Sequence, residues 1–405
     1  MFWTNALSTQ PSLEGAVTEV TRTIGNALSS PADVGIFFIS SAYASDYPRV
    51  IPLILEKLSL PILIGCGGAG ITGRNEDKTI CEIENNPAFS LMVGCLPEVQ
   101  INPFFLSAES LPDLDSSPDT WHRLIGVSPQ EQPHFILLSD PFSTRINDLL
   151  AGLDFAYPEA VKVGGLSSSS LMGVPGTVFY HQTGDPQSGF YHQGTVGLGL
   201  SGNIAIDSIV AQGCRPIGQA YQVVKGERNI ILELSQDGET RSPLDWLRGL
   251  MENLDESDRQ LAQHSLFVGV VRDEFKQELQ PGDFLIRNLL GVDPQLGAIA
   301  IGDRVRPGQR VQFHLRDAQT SADDLETLLK QYNQPTPIQG AFMFSCLGRG
   351  QTLYQMPNFD SQLFTNYFPG VSLGGFFCNG EIGPVGQETF LHGYTSVFAL
   401  VRQLK

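Results

Sequence analysis

The sequence has no C-x-x-C pair, no long apolar run and no excess of basic charge, and each absence removes a class of protein. Six cysteines stand at 66, 81, 95, 214, 346 and 378, with no cysteine–histidine spacing that suggests zinc. They read as thiols in a reducing compartment, and neither a metal nor a cofactor is expected. No apolar stretch approaches the roughly 18 residues of a membrane-crossing helix. The N-terminal "MFWTNALSTQPSLEGAV" lacks the basic region and apolar core of a secretory leader. The expectation is a cytoplasmic protein without membrane insertion. With 43 acidic against 25 basic residues, a net charge of −18, nothing supplies the basic stripe that nucleic acid needs, whereas a small-molecule ligand is compatible. Charged residues make up only 17% and hydrophobic ones 41% of the 405 residues, a globular composition long enough for two or three domains.

What is there is a repeated pattern. "GIFFISS" (35–41) reads as a strand, "DYPRVIPLILEKL" (46–58) as an amphipathic helix, and "PILIGCGGAGITG" (61–73) as a second strand ending in glycines. "HFILLSD" (134–140), "STRINDLLAGLDFA" (143–156) and "AVKVGGLSSSS" (160–170) repeat the order. "GAFMFSCLGRG" (340–350), "FDSQLFTNYF" (359–368) and "GVSLGGFFCNGEIG" (370–383) repeat it again. Each copy is expected to close its second strand with Gly-Gly, at Gly67-Gly68, Gly164-Gly165 and Gly374-Gly375. Strands alternating with helices make the fold class α/β, in two domains, each a mixed sheet flanked by helices.

Between the second and third copies the texture changes. "FYHQ" occurs twice around "TGDPQSG", and a hairpin symmetric about that turn would pair His181 with His192 across its strands, either as two imidazoles of a metal site or as polar positions on an exposed face. Strands are expected near 218–225, 229–234 and 265–271. Helices are expected over 242–254, capped by Ser242, and over 321–332, capped by Ser321. The change from sheet to helix near 240 is the candidate domain boundary.

"GCGGAGITG", "SGNIAIDSIVAQGCRPIG", "ERNIILEL", "SCLGRGQTLY" and "GVSLGGFFCNGEIGPVG…TFLHGYTSVFAL" together resemble the FIST family over roughly residues 33 to 400, and the last two motifs are the specific ones. The resemblance implies an N-terminal FIST domain over 33–240 and a C-terminal one over 241–405, preceded by an extension with a helix at 1–32. It implies an intracellular sensory module for small ligands such as amino acids, working with a signalling protein. A eukaryotic branch of the family serves in ubiquitin ligase adaptors, so protein binding is a second implied role. The family carries no settled catalytic residues, and none is assigned here.

The residues themselves leave alternatives open. The glycines of "GCGGAG" are either a steric necessity or a backbone nest for an anion. They are not read as a dinucleotide fingerprint, and a G-x-x-x-x-G-K-[ST] loop is absent. Arg349, between Gly348 and Gly350, either presents its fork to a ligand carboxylate or pairs with Asp360 or Glu381. Glu381 either accepts a ligand ammonium or ties down its own loop. Cys346 and Cys378 are either small buried residues or, with His392, thiol chemistry. Asp207 and Arg215 are either an ion pair or part of a site. The expected ligand set is Gly67, Gly68, Gly164, Gly165, Cys346, Arg349, Gly374, Gly375, Cys378, Asn379 and Glu381. The expected function is a sensory protein for a small carboxylate ligand. The alternatives are a protein-interaction adaptor and a thiol-dependent enzyme, and enzymatic activity is left undecided, with a non-enzyme preferred.

Overall fold

The structure, a computed structural model of the 405-residue chain, describes residues 1–142, 145–280 and 282–404. The apolar runs of the three copies form parallel strand pairs buried on both faces, which is why they read as continuous hydrophobic stretches rather than alternating ones. Each pair belongs to a longer repeat. The first comprises β1 (Phe2–Ser8), α1 (Leu13–Ala27), β2 (Val34–Ser40), a 3-10 stretch (Ser41–Arg49) with α2 (Val50–Lys57), β3 (Ile62–Gly68), β4 (Gly70–Arg74), β5 (Ile80–Glu84) and β6 (Phe89–Cys95). The second comprises β7 (Val99–Leu106), α3 (Pro118–Ile125), β8 (His134–Ser139), α4 (Ile146–Ala156), β9 (Lys162–Leu166), β10 (Val178–Gln182), β11 (Gly189–Tyr191) and β12 (Thr195–Gly202). Positions 143 and 144 of the expected helix lie outside the described residues. The third repeat opens with β13 (Ala205–Ala211).

A separate unit, Gln212–Leu325, then intervenes. It contains β14 (Arg215–Glu227), β15 (Ile230–Gln236), β16 (Glu239–Arg241), α5 (Pro243–Asn253), α6 (Glu256–Ala262), β17 (Leu266–Val271), β18 (Phe284–Asp293), β19 (Ala298–Ile301) and β20 (Arg310–Leu315). Its strands pair antiparallel in the order β14-β20-β17-β18-β19-β15-β16. An additional β14–β15 pairing closes the first six into a barrel. Its core holds Tyr221, Ile231, Val268, Ile299 and Phe313. Ser242 caps α5 as expected, accepting from Asp245 N.

α7 (Ala318–Gln331) begins within that unit and ends beyond it, and the third repeat continues with β21 (Ile338–Cys346), α8 (Gly350–Tyr354), α9 (Phe359–Tyr367), β22 (Leu373–Cys378), β23 (Glu381–Val385), β24 (Glu388–His392) and β25 (Ser396–Arg402). Ser321 lies inside α7 instead of capping it, and its hydroxyl donates to Gly213 O, while the Asp317 carboxylate accepts from Thr320 N.

The three repeats build three six-stranded sheets with one plan: β1-β6-β2-β3, β7-β12-β8-β9 and β13-β25-β21-β22, each completed by a hairpin from another repeat. The first sheet receives β10-β11 from the second repeat, the second receives β23-β24 from the third, and the third receives β4-β5 from the first. The exchange is cyclic and leaves no repeat complete without the others. One face of each sheet contributes to a shared core through Ile36, Phe38, Ile136, Leu138, Phe342, Phe344 and Phe376. The opposite faces of the first and second sheets carry the helices. The fold is α/β, with mixed sheets flanked by helices in one unit and an antiparallel barrel in the other. Residues 1–32 hold β1 as well as α1, and position 240 falls within β16.

Candidate functional site

Gly67 and Gly68 close β3 as expected, but the other two pairs do not close their strands: Gly164 and Gly165 lie mid-strand in β9, and Gly374 and Gly375 near the start of β22. The equivalent positions across the repeats are Gly65, Gly164 and Gly375, which pair with Phe37, Leu137 and Met343 on the parallel neighbour. A Cβ there would lie 2.6, 1.8 and 2.0 Å from the partner's carbonyl oxygen. These glycines are demanded by the close approach of two strands, so the steric reading holds for them. Gly67 and Gly68 come later in β3. The spacing Gly65-Cys66-Gly67-Gly68-Ala69-Gly70 does fit G-x-G-x-x-G, but β3 runs on into β4 and no helix N-terminus follows to receive a phosphate.

What the repeats bring together is the carboxyl ends of β3, β9 and β22. Ser168, just beyond β9, is the junction. Its N–H donates to Gly67 O at 3.0 Å, its hydroxyl accepts from Ala69 N at 2.9 Å, and the same hydroxyl donates to Phe377 O. Gly67 N donates to Thr177 O, Asn379 N to Leu166 O, and Leu166 N to Gly380 O. Ser41, after β2, accepts from Ser170 N. Around this buried junction the side chains of Ser169 and Cys346 are half-buried, and those of Ser170 and Asn379 are exposed.

The Arg349 clamp reading is corrected. Arg349 is fully buried, and its fork is taken bidentately by Asp360, from Nε at 2.8 Å and Nη2 at 3.0 Å, with Nη2 also donating to Tyr354. Ser345 donates to the same carboxylate. Glu82, on β5, lies nearby, accepting from Ser361 N while its own N–H donates to Asn358 Oδ1. Burial, with the Asp360 charge second, pushes its carboxyl up to about 8. Glu381 is also buried and accepts from Thr395 N at 3.1 Å, which favours the loop-tying role over a ligand ammonium.

Cys346 and Cys378 are in-register partners on β21 and β22. His392 Nε2 donates to Gly383 O. The hairpin of β10 and β11 forms, but its register sets Val178 opposite Tyr191, so His181 and His192 are not paired; His181 pairs across to Leu63, and His192 Nδ1 lies 3.1 Å from Thr177 Oγ1. No cluster of three metal-ligating side chains exists among the described residues. Asp207 and Arg215 do not pair with each other: Asp207 takes Arg402 and Tyr332, and Arg215 takes Asp258 and Asp317. A surface hollow of about 430 Å³ is lined by Gln10, Glu14, Thr18, Glu19, Arg22 and Glu76, and none of the expected ligand residues faces it. Among the described residues no helix is long and apolar enough to cross a membrane.

Sequence reasoning missed Ser168 and Glu82. The "SSSS" run at 167–170 was a visible signal for the first. Nothing local points to the second, whose partner lies 279 residues away.

Comparison with known proteins gives sequence models matching in two parts, a FIST N domain over residues 33–237 and a FIST C domain over 243–384. An uncharacterized protein of Mycobacterium tuberculosis is 32% identical over 402 residues, covering 97% of this chain and 98% of its own. An uncharacterized protein of Mycobacterium bovis is 30% identical over 400 residues, covering 97% and 96%. F-box only protein 22 of Homo sapiens is 36% identical over 89 residues, which is 18% of this chain and 22% of that protein.

Proposed function

The chain belongs to the FIST family, whose domains are generally taken as small-ligand sensory or signalling domains, and from that premise we propose that it binds a small polar ligand where β3, β9 and β22 end. The observation that carries this is the Ser168 junction, which ties three repeats to one spot at the carboxyl ends of their parallel strands, where ligands gather in α/β sheets. The ligand class to test first is a small carboxylate such as an amino acid. With Arg349 committed to Asp360, its anion is met by neutral donors, the Asn379 amide and the Ser170 hydroxyl, with Cys346 at the rim and the glycine strands supplying backbone. A reducing, cytoplasmic setting fits the six cysteines, none of which is in a disulfide.

Native mass spectrometry of the purified chain, followed by calorimetry with amino acids and other small carboxylates, tests the reading. Asn379→Ala and Ser170→Ala are expected to weaken binding by about tenfold each, the loss of one hydrogen bond. Retained affinity in both variants, or no binding of any small carboxylate, overturns it.

A second reading, a docking surface for a signalling protein, is favoured by one observation. Phe142, Leu171 and Met172, in segments that follow β8 and β9, are exposed apolar side chains.

A further inference from the structure

We propose that Cys346 and Cys378 form a dithiol that a hydroperoxide oxidises to a disulfide, a redox input that does not depend on the ligand reading above although Cys346 stands at the rim of that site. The two are in-register partners on adjacent parallel strands. Neighbouring strands lie about 4.8 Å apart, inside the Cα range of roughly 4.4–6.8 Å that a disulfide spans. They also share a face. Two residues earlier, Phe344 and Phe376 pack edge to face at 6.0 Å in the shared core, and side chains two apart on a strand point the same way. The ladder continues through the pair, with Leu347 N donating to Cys378 O and Cys346 N to Thr395 O, so bridging requires no separation of backbone.

The two thiols differ in access. Cys346 is half-buried at the strand end, within reach of a small oxidant, whereas Cys378 is fully buried. Full burial keeps Cys378 from peroxide, and its position in register with Cys346 makes it the resolving group; burial first, and the Glu381 charge second, also push its thiol well up. The repeat does not require the pair. At the same register the first repeat has Ser40 with Gly68, and in the second Asp140 and Ser167 follow the last paired residues, Ser139 and Leu166.

The chemistry balances in two steps. The Cys346 thiolate attacks the peroxide, forming an S–O bond and breaking O–O, and water or an alcohol leaves with the proton. The Cys378 sulfur then attacks the Cys346 sulfenic acid, forming S–S and breaking S–O, and hydroxide leaves with the Cys378 proton as water. The dithiol loses two electrons, which the peroxide gains, and a small thiol reverses the bond.

The test uses the full chain treated with hydrogen peroxide, then denatured, alkylated and mapped by mass spectrometry. The expected result is one linkage between the peptides carrying Cys346 and Cys378, with loss of both alkylations, full alkylation of Cys66, Cys81, Cys95 and Cys214, and reversal by dithiothreitol. In Cys378→Ser, or Cys378→Ala if the serine variant fails to fold, Cys346 is expected to accumulate as a sulfenic acid captured by dimedone. Cys378 that stays alkylatable in the oxidised parent, a linkage to another cysteine, or dimedone capture unchanged by removing Cys378 overturns the proposal.

Discussion

Two of the exchanged hairpins are clasped by ionic groups, and the two clasps differ in their charge balance. In the second sheet β24 is held to α4 by Asp154, which accepts from Thr389 N at 2.6 Å and Thr389 Oγ1 at 2.8 Å while pairing with the buried Lys162 at 2.8 Å. One carboxylate meets one ammonium. In the third sheet β5 is held to α9 by Glu82, which accepts from Ser361 N, and beside it on α9 a second carboxylate, Asp360, is paired with one guanidinium, Arg349. Glu82 is kept neutral instead of paired, since burial and Asp360 raise it to about 8. The join at β5 is therefore poised to titrate, whereas at β24 burial pulls the Lys162 ammonium down and its bond to Asp154 opposes that.

The largest expected break of this comparison is Arg349→Met. It leaves Asp360 buried beside Glu82 with its bidentate partner gone, and should cost about 3–5 kcal/mol, read as a fall in the urea midpoint. Lys162→Met strands a carboxylate that is partly exposed and still accepts from Thr389, so about 2 kcal/mol is expected. A Lys162 loss as large as that at Arg349 would show that charge balance does not distinguish the clasps.

The pH dependence sharpens the contrast. Glu82 has a folded pKa raised above its unfolded value of 4.5, to about 8, so the folded state holds a proton that the unfolded chain has lost. Its contribution is fully present below pH 4.5 and is lost as pH rises through about 8. Glu82→Gln keeps a neutral group of similar shape and should flatten the fall in stability across that window. A parent and a glutamine variant with parallel pH–stability curves would remove Glu82 as the titrating group.

How much of this was legible follows from the range of each contact. The strand–helix–strand copies are local, and their unbroken apolar runs mark strands buried on both faces. The hairpin exchange is not local: the Glu82–Ser361 bond spans 279 residues, and nothing near position 82 announces it. Arg349 was visible as an arginine in a tight loop, and Asp360 as one of its two candidate partners, but which of ligand and partner wins depends on burial, which the sequence does not state. The glycine pairs misled through register. Gly-Gly is easy to see, whereas the position that must lack a Cβ is Gly65 in one copy and a member of the pair in the other two. The histidines misled likewise, because the Asp185 N to Gln182 O turn sets a different register from the one the two "FYHQ" segments suggest.

The smallest expected effect, that of Tyr47→Phe, lies in the remaining exchange, β10-β11 on the first sheet, where the contacts are aromatic. Phe179 of the received hairpin packs against Phe37 at 5.0 Å and, edge to face, against Tyr47 at 5.3 Å. Burial pushes the Tyr47 hydroxyl far above neutral pH, so it carries no charge in the range where Glu82 titrates. Tyr47→Phe keeps the ring that meets Phe179 and should change stability by no more than about 0.5 kcal/mol, with no new pH dependence. Tyr47→Ala removes the ring and should cost about 3 kcal/mol, again without pH dependence. The two variants together ask whether this join is held by ring burial alone. A phenylalanine variant as damaged as the alanine one would mean that the hydroxyl, not the ring, carries the clasp.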